Sequence, residues 1–108
     1  MIYELRVYRA LPGRMPALLA RFREHTCALF EKHGITNIGY WTNAIGGRND
    51  ELLYLLAYED LAARDAKWSA FQADPEWQRV KAESERDGLI IEHFENRILA
   101  PTDFSPLK

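Results

Sequence analysis

At 108 residues, 47% hydrophobic and 28% charged, the chain has the size and apolar mass of one folded domain. Its net charge of −2 comes from interspersed signs with no Lys/Arg cluster, which excludes the electrostatic footprint of a nucleic-acid binder. A single cysteine, Cys27, excludes an internal disulfide and any Cys-based zinc cluster.

No apolar run reaches the roughly 20 residues of a membrane helix, so no membrane partner is expected. The N-terminus shows no basic segment followed by a long apolar core, and a cytoplasmic location is the expectation.

In chain order, Ile2 to Arg9 alternates, with Tyr3, Leu5 and Val7 on one face and Glu4, Arg6 and Tyr8 on the other. Period two predicts a strand. Pro12-Gly13 is a turn. Residues 14 to 33 read as a helix with an apolar stripe of Met15, Leu18, Phe22, Thr26 and Leu29 that also carries His25. Gly34 ends it. Thr36 to Asn43 forms a second strand holding Tyr40 and Trp41, and a Gly46-Gly47 loop leads to a third.

That third strand, Leu52-Leu53-Tyr54-Leu55-Leu56-Ala57-Tyr58, is apolar on both parities and must bury both faces. Asp60 caps a helix over 61 to 73, and Asp74-Pro75-Glu76 starts another that ends before Gly88. Leu89 to Ile98 is the fourth strand, and residues 99–108 form a tail.

The order βαββαβ over one domain, residues 1–108, predicts the ferredoxin-like α+β fold: a four-stranded antiparallel sheet with helices on one face. First and fourth strands then lie side by side. Charge pairing suggests a register with Glu4 opposite Arg97, Arg6 opposite Glu95 and Tyr8 opposite His93. The other face would hold Tyr3, Leu5, Val7, Leu53, Leu55, Ala57, Phe94 and Ile98. The helices are expected to cover the charged face and enclose a partly polar cleft. The bare apolar face, with Tyr3, Leu5, Val7, Leu53, Leu55 and Phe94 as contact residues, would pack on a second copy of the chain. The reverse parity, with helices on the apolar face, stays open.

With these residues in place, the sequence resembles the NIPSNAP family of the dimeric α+β barrel superfamily. The likeness rests on Met1-Ile2-Tyr3-Glu4-Leu5-Arg6-Val7-Tyr8 with Pro12-Gly13, then Gly39-Tyr40-Trp41-Thr42 and Ala57-Tyr58-Glu59-Asp60-Leu61. It continues in Ala73-Asp74-Pro75-Glu76-Trp77, Glu95-Asn96-Arg97-Ile98-Leu99 and the tail Pro101-Thr102-Asp103-Phe104-Ser105-Pro106. The resemblance implies a homodimer with two facing sheets, and no settled chemistry. The wider superfamily includes cofactor-free monooxygenases, haem-degrading enzymes and isomerases, whose pockets usually lie between sheet and helices. Arg6 and Tyr58 fall roughly where a pocket polar residue and a pocket aromatic would be. No histidine of the second helical region matches a haem ligand.

The candidate pocket is therefore Arg6, Tyr8, His25, Trp41, Tyr54, Tyr58, Trp68 and His93. His25 reads either as a core histidine or as a pocket acid/base. Arg6 reads either as a cross-strand partner of Glu95 or as an anchor for an anionic oxygen. The aromatic residues would fill the core or line a pocket. No phosphate loop, nucleophile elbow or His-Glu-x-x-His is present, and the three histidines are scattered. No metal or cofactor is expected. Two functions stand side by side: a small-molecule oxygenase or isomerase, and a non-catalytic ligand-binding or protein-interaction module.

Overall fold

The computed structural model describes all 108 residues. β1 (Ile2–Ala10) leads through a turn into α1 (Met15–Arg21), a π-helical turn (Phe22–Thr26) and α2 (Cys27–Lys32), which run on as one rod. β2 (Thr36–Thr42) and β3 (Glu51–Tyr58) form a hairpin. α3 (Leu61–Ala73), α4 (Pro75–Ser84) and β4 (Ile91–Leu99) follow. The sheet is antiparallel with strand order β2-β3-β1-β4, the ferredoxin-like arrangement. No helix is long and apolar enough to cross a membrane.

The boundaries follow from local chemistry. The Asp60 side chain accepts from the Ala63 N–H at 2.8 Å and opens α3. Asp74 accepts from the Glu76 N–H at 2.8 Å and opens α4, where Pro75 fills a position whose N–H has no helical partner. Gly34, at φ 74°, takes the left-handed turn that ends α2.

The helices cover the sheet face that carries Glu4, Arg6 and Tyr8. The β1, β2 and β3 residues that meet the helices have even parity: Ile2, Tyr8, Ala10, Tyr40, Leu52, Tyr54, Leu56 and Tyr58. They meet Leu18, Phe22, Leu29 and Phe30 from the first rod and Phe71, Trp77 and Val80 from α3 and α4. Leu5, Val7, Leu53 and Leu55 lie on the opposite face, each half-buried. On that face Tyr3 and its cross-strand partner Ala57, expected to be bare, are buried at 5% and 2% exposure.

The pairing of β1 with β4 differs from the charge-based expectation by one residue. Glu4 lies opposite Ile98, Arg6 opposite Asn96 and Tyr8 opposite Phe94, while Leu5 faces Arg97 and Val7 faces Glu95. Because side chains alternate, this slip moves the β4 residues from His93 to Leu99 to the other face; an irregularity between Arg9 and Ala10 returns Ile91 to its expected partner, Ala10. Phe94 and Ile98, expected on the bare face, take the side of Tyr8 and Glu4, where, on the edge strand, they stay 53% and 43% exposed; Glu95 and Arg97 take their places. The expected pairs Glu4–Arg97, Arg6–Glu95 and Tyr8–His93 are not formed. Glu4 and Arg6 find their partners elsewhere, so nothing selects the charge ladder. β4 also begins two residues later than expected: Leu89 is exposed, and the Ile90 carbonyl accepts from the Leu11 N–H at 2.8 Å.

A helix-packed polar cleft

The buried polar centre is built from the even residues of β1. Arg6 is 4% exposed and donates in three directions: Nε to the Tyr54 hydroxyl at 2.9 Å, Nη1 to Glu4 Oε2 at 2.9 Å and Nη2 to the Tyr8 hydroxyl at 3.0 Å. Its guanidinium carbon lies 4.3 Å from the centre of a Trp68 ring, cation over π-face. Burial works against this cation, yet the phenols of Tyr54 and Tyr8 and the Glu4 carboxylate outweigh it and hold its pKa above the usual range. Glu4 is fully buried and accepts from Arg64 Nε at 3.1 Å, Arg64 Nη2 at 2.9 Å and Asn96 Nδ2 at 2.8 Å as well as from Arg6. Burial alone would raise its pKa; these donors hold it below the usual carboxylate range. A buried carboxylate with two guanidiniums and an amide is a satisfied group.

Next to this network lies a cavity of about 490 Å³, within the ~300–1,000 Å³ span of small-molecule sites. Phe22, Phe30, Trp68, Phe71, Trp77 and Phe94 wall it, Arg6 and Tyr8 come from the sheet, and Lys81, Leu89 and His93 stand at its exposed rim. The walls belong to one run of contacting rings. Tyr40 stacks on Tyr54 with centroids 5.0 Å apart, Phe22 meets Tyr54 at 5.0 Å, and Phe71 meets both Phe30 and Trp77 at 4.8 Å. Such pairs contribute about 0.5–1.5 kcal/mol each beyond their burial and fix the positions of the rings that wall the space.

Of the residues expected in a pocket, Arg6, Tyr8, Trp68 and His93 border this cavity. His93 stands on the parity of Arg9 rather than of Tyr8. Tyr54 is completely buried beneath it as the acceptor of Arg6. Tyr58 lies deeper in the core beside Glu4, with a buried hydroxyl that has no hydrogen-bond partner.

Two expected pocket residues lie elsewhere. His25 is exposed and outside the cavity. The π turn is the reason: the Cys27 N–H bonds to the Phe22 carbonyl, five residues back, so one extra residue enters the turn and the helix changes phase. Arg21 and Phe22 already face inward with Leu18 as the turn begins; after it Thr26 lies inward and His25 turns out. Trp41 is 54% exposed and lies opposite Leu53 on the bare face, where its ring covers Gly39. A register shift between Asn37 and Gly39 sets that parity.

Arg21 is the residue that sequence reasoning missed. It is 4% exposed and lines the cavity. Nη1 reaches the Ser84 hydroxyl at 3.3 Å and Glu85 Oε1 at 3.5 Å, both long, and Nε has no partner at all. An unpaired buried donor costs about 1–3 kcal/mol. Its charge marks Arg21 as a surface residue; its place three residues after Leu18, on the inward face of α1, is the signal that could have found it.

The comparisons with known proteins agree with this architecture. A NIPSNAP family match spans residues 3–106. The protein NipSnap homolog 3B of Mus musculus is 34% identical over 76 residues, 70% of this chain but only 30% of that protein, so the chain spans less than a third of the length of the curated relative it matches. A NIPSNAP family protein of Agrobacterium tumefaciens superposes with a TM-score of 0.88 at 34% identity, covering 99% of this chain and 98% of that one. A candidate antibiotic biosynthesis monooxygenase of Chloroflexus aurantiacus superposes with a TM-score of 0.53 at 18% identity, covering 94% of this chain and 96% of that one, a likeness of fold alone. From the βαββαβ order, the fold match and the family match over nearly its whole length, the chain belongs to the NIPSNAP family.

Proposed function

We propose that this protein is a homodimer in which each protomer binds a small organic molecule in the cavity between sheet and helices. The observation that carries the binding reading is the cavity itself: about 490 Å³, walled by six aromatic side chains, with a few polar groups converging on it. Aromatic walls favour a flat, largely apolar ligand.

Binding without turnover is the reading this geometry supports best. An oxygenase or isomerase needs a group placed to take a proton from the ligand. His25 lies outside, and Glu4 already accepts from Arg6, Arg64 and Asn96. The hydroxyls of Tyr8 and Tyr54 are acceptors of Arg6. The buried polar groups next to the cavity therefore serve structure and orientation, and the one imidazole that borders it, His93, stands at the exposed rim rather than inside.

The dimer reading rests on the bare sheet face, where Leu5, Val7, Leu53 and Leu55 are half-exposed beside a largely exposed Trp41. A contiguous apolar sheet face of this kind is what a second copy covers by twofold self-association.

Calorimetric titration with a neutral flat probe, 2-naphthalenemethanol, tests the cavity. Saturable binding by the wild type and its loss in Ile91→Trp, which places an indole in the space that Ile91 borders, is the expected result. No saturable binding, or equal binding by the variant, would end the reading.

A further inference from the structure

We propose that Arg21 is the anion-recognising residue of the cavity and that the ligand it selects is a flat apolar carboxylate. The inference rests on the binding reading above and adds the charge of the ligand to it.

Two guanidiniums border the cavity, and they differ in occupancy. All three nitrogens of Arg6 are engaged, by Tyr54, Glu4 and Tyr8 at 2.9 to 3.0 Å. Three of its five N–H groups are taken and every nitrogen is tied to a protein acceptor, so what it offers a ligand is chiefly its π-stacked face. Arg21 is equally buried, yet only Nη1 has contacts, long ones to Ser84 and Glu85, and Nε has none. A buried cation in that state is short of an anion, and burial pushes its pKa below the usual range despite Glu85.

Arg21 ends α1 three residues after the fully buried Leu18, so ordinary helical spacing puts it on the inward face beside Phe22. The π turn that follows changes the phase of the next residues, bringing Thr26 in and turning His25 out. The cation therefore stands beside the aromatic walls with no histidine next to it. Trp77 lies 5.4 Å from the guanidinium carbon and supports its face, leaving the edge as the donor surface. The planar fork of an arginine matches a carboxylate in two parallel bonds, which a neutral hydroxyl cannot reproduce. Glu85, the one carboxylate in reach, is partly exposed at the end of α4 and held at 3.5 Å, so a ligand carboxylate displaces it at little expense.

The test compares 2-naphthoate with 2-naphthalenemethanol by calorimetry on the full chain. The two probes share the ring and differ in charge. The wild type should bind naphthoate roughly tenfold or more tightly than the alcohol, as expected for hydrogen bonds to a charged group. Arg21→Met should erase that preference while the alcohol still binds, and Arg21→Lys should keep part of it. Glu85→Gln, which removes the competing carboxylate at a partly exposed position, should tighten naphthoate binding several-fold and leave the alcohol unchanged. Equal binding of both probes by the wild type, or a preference that survives Arg21→Met, would overturn the role of Arg21 and leave the cavity reading standing. Should Arg21→Met fail to fold, an unchanged naphthoate affinity in Glu85→Gln overturns it equally. If neither probe binds, both readings fall.

Discussion

Arg6 and Glu4, two residues apart on β1, form an ion pair of 2.9 Å in which neither side chain is more than 5% exposed. Residues two apart on a strand share a face, so the pair is local in sequence. It closes only because Arg64 of α3 and Asn96 of β4 supply further donors to the same carboxylate. The network thus ties a strand, its neighbour and the covering helix to one buried charge.

Removing that charge should be severe. Glu4→Gln keeps the shape but leaves two guanidiniums, one of them buried, facing a neutral amide. Breaking a buried pair by neutralising one partner costs about 3–5 kcal/mol, a large part of the ~5–15 kcal/mol a domain has. Urea unfolding should show the midpoint falling accordingly, or the variant should fail to accumulate as folded protein. A loss below about 1 kcal/mol would mean that the network is not closed as described.

Acid should weaken the fold through two carboxylates. In Glu4, burial opposes ionisation and the Arg64, Asn96 and Arg6 donors more than compensate; in Asp74, Lys32, His33 and the Glu76 N–H hold the pKa far below the usual range. A depressed folded-state pKa gives stability that is fully present above the unfolded value, about 3.9 for Asp and 4.3 for Glu, and is lost as pH falls through the folded one. Thermal melts should be nearly flat with respect to these groups from pH 7 to 5 and should drop below about pH 4. Asp74→Asn should melt lower than the wild type at neutral pH, and the two curves should converge in acid. Parallel curves down to pH 2 would show that Asp74 carries no such linkage.

The fold was legible because its signals are redundant: alternation in β1, the doubly apolar β3, and the Asp60 and Asp74 caps each point to the same order of elements. The faces of β1 and β3 were legible for a related reason, since Tyr54, Leu56 and Tyr58 could not be left beside an open charge ladder. Details set by tertiary partners were not legible. Glu4 had Arg97 available as a cross-strand neighbour, but Arg64 comes from sixty residues away to bind it, and no pairing rule ranks those choices. One residue in the β4 register then decided where Phe94 lies. At His25 the cause is the π turn, whose extra residue shifts the stripe without any proline or glycine to betray it. Arg21 lies three residues after Leu18 on the inward face of α1, and its charge hid that position.

The bare face predicts the assembly. Leu5 and Leu55 pair directly across β1 and β3 at its centre. A Leu5→Asp, Leu55→Asp double variant should sediment as a monomer or unfold, whereas the wild type should sediment as a dimer. Trp41→Ala, at a 54% exposed position, should fold normally and weaken the dimer more mildly. A wild type that is monomeric at high concentration, or a double variant that stays a folded dimer, would show that this face is not the interface.

His25 and Arg21 lie four residues apart on the same rod, and an ideal helix would place them on one face. The π turn separates them: His25 is exposed, Arg21 is buried against the cavity. Replacing each therefore separates the two helical phases. His25→Ala should change stability by no more than about 0.5 kcal/mol, as surface substitutions do, and should leave naphthoate binding unaltered. Arg21→Met removes an unsatisfied buried donor along with its charge, so its stability cost should be small or even reversed, while the carboxylate preference disappears. Denaturation and calorimetry on the two variants read both quantities. A His25→Ala protein that loses ligand affinity would restore the ideal-helix phase and place the histidine, not the arginine, at the cavity.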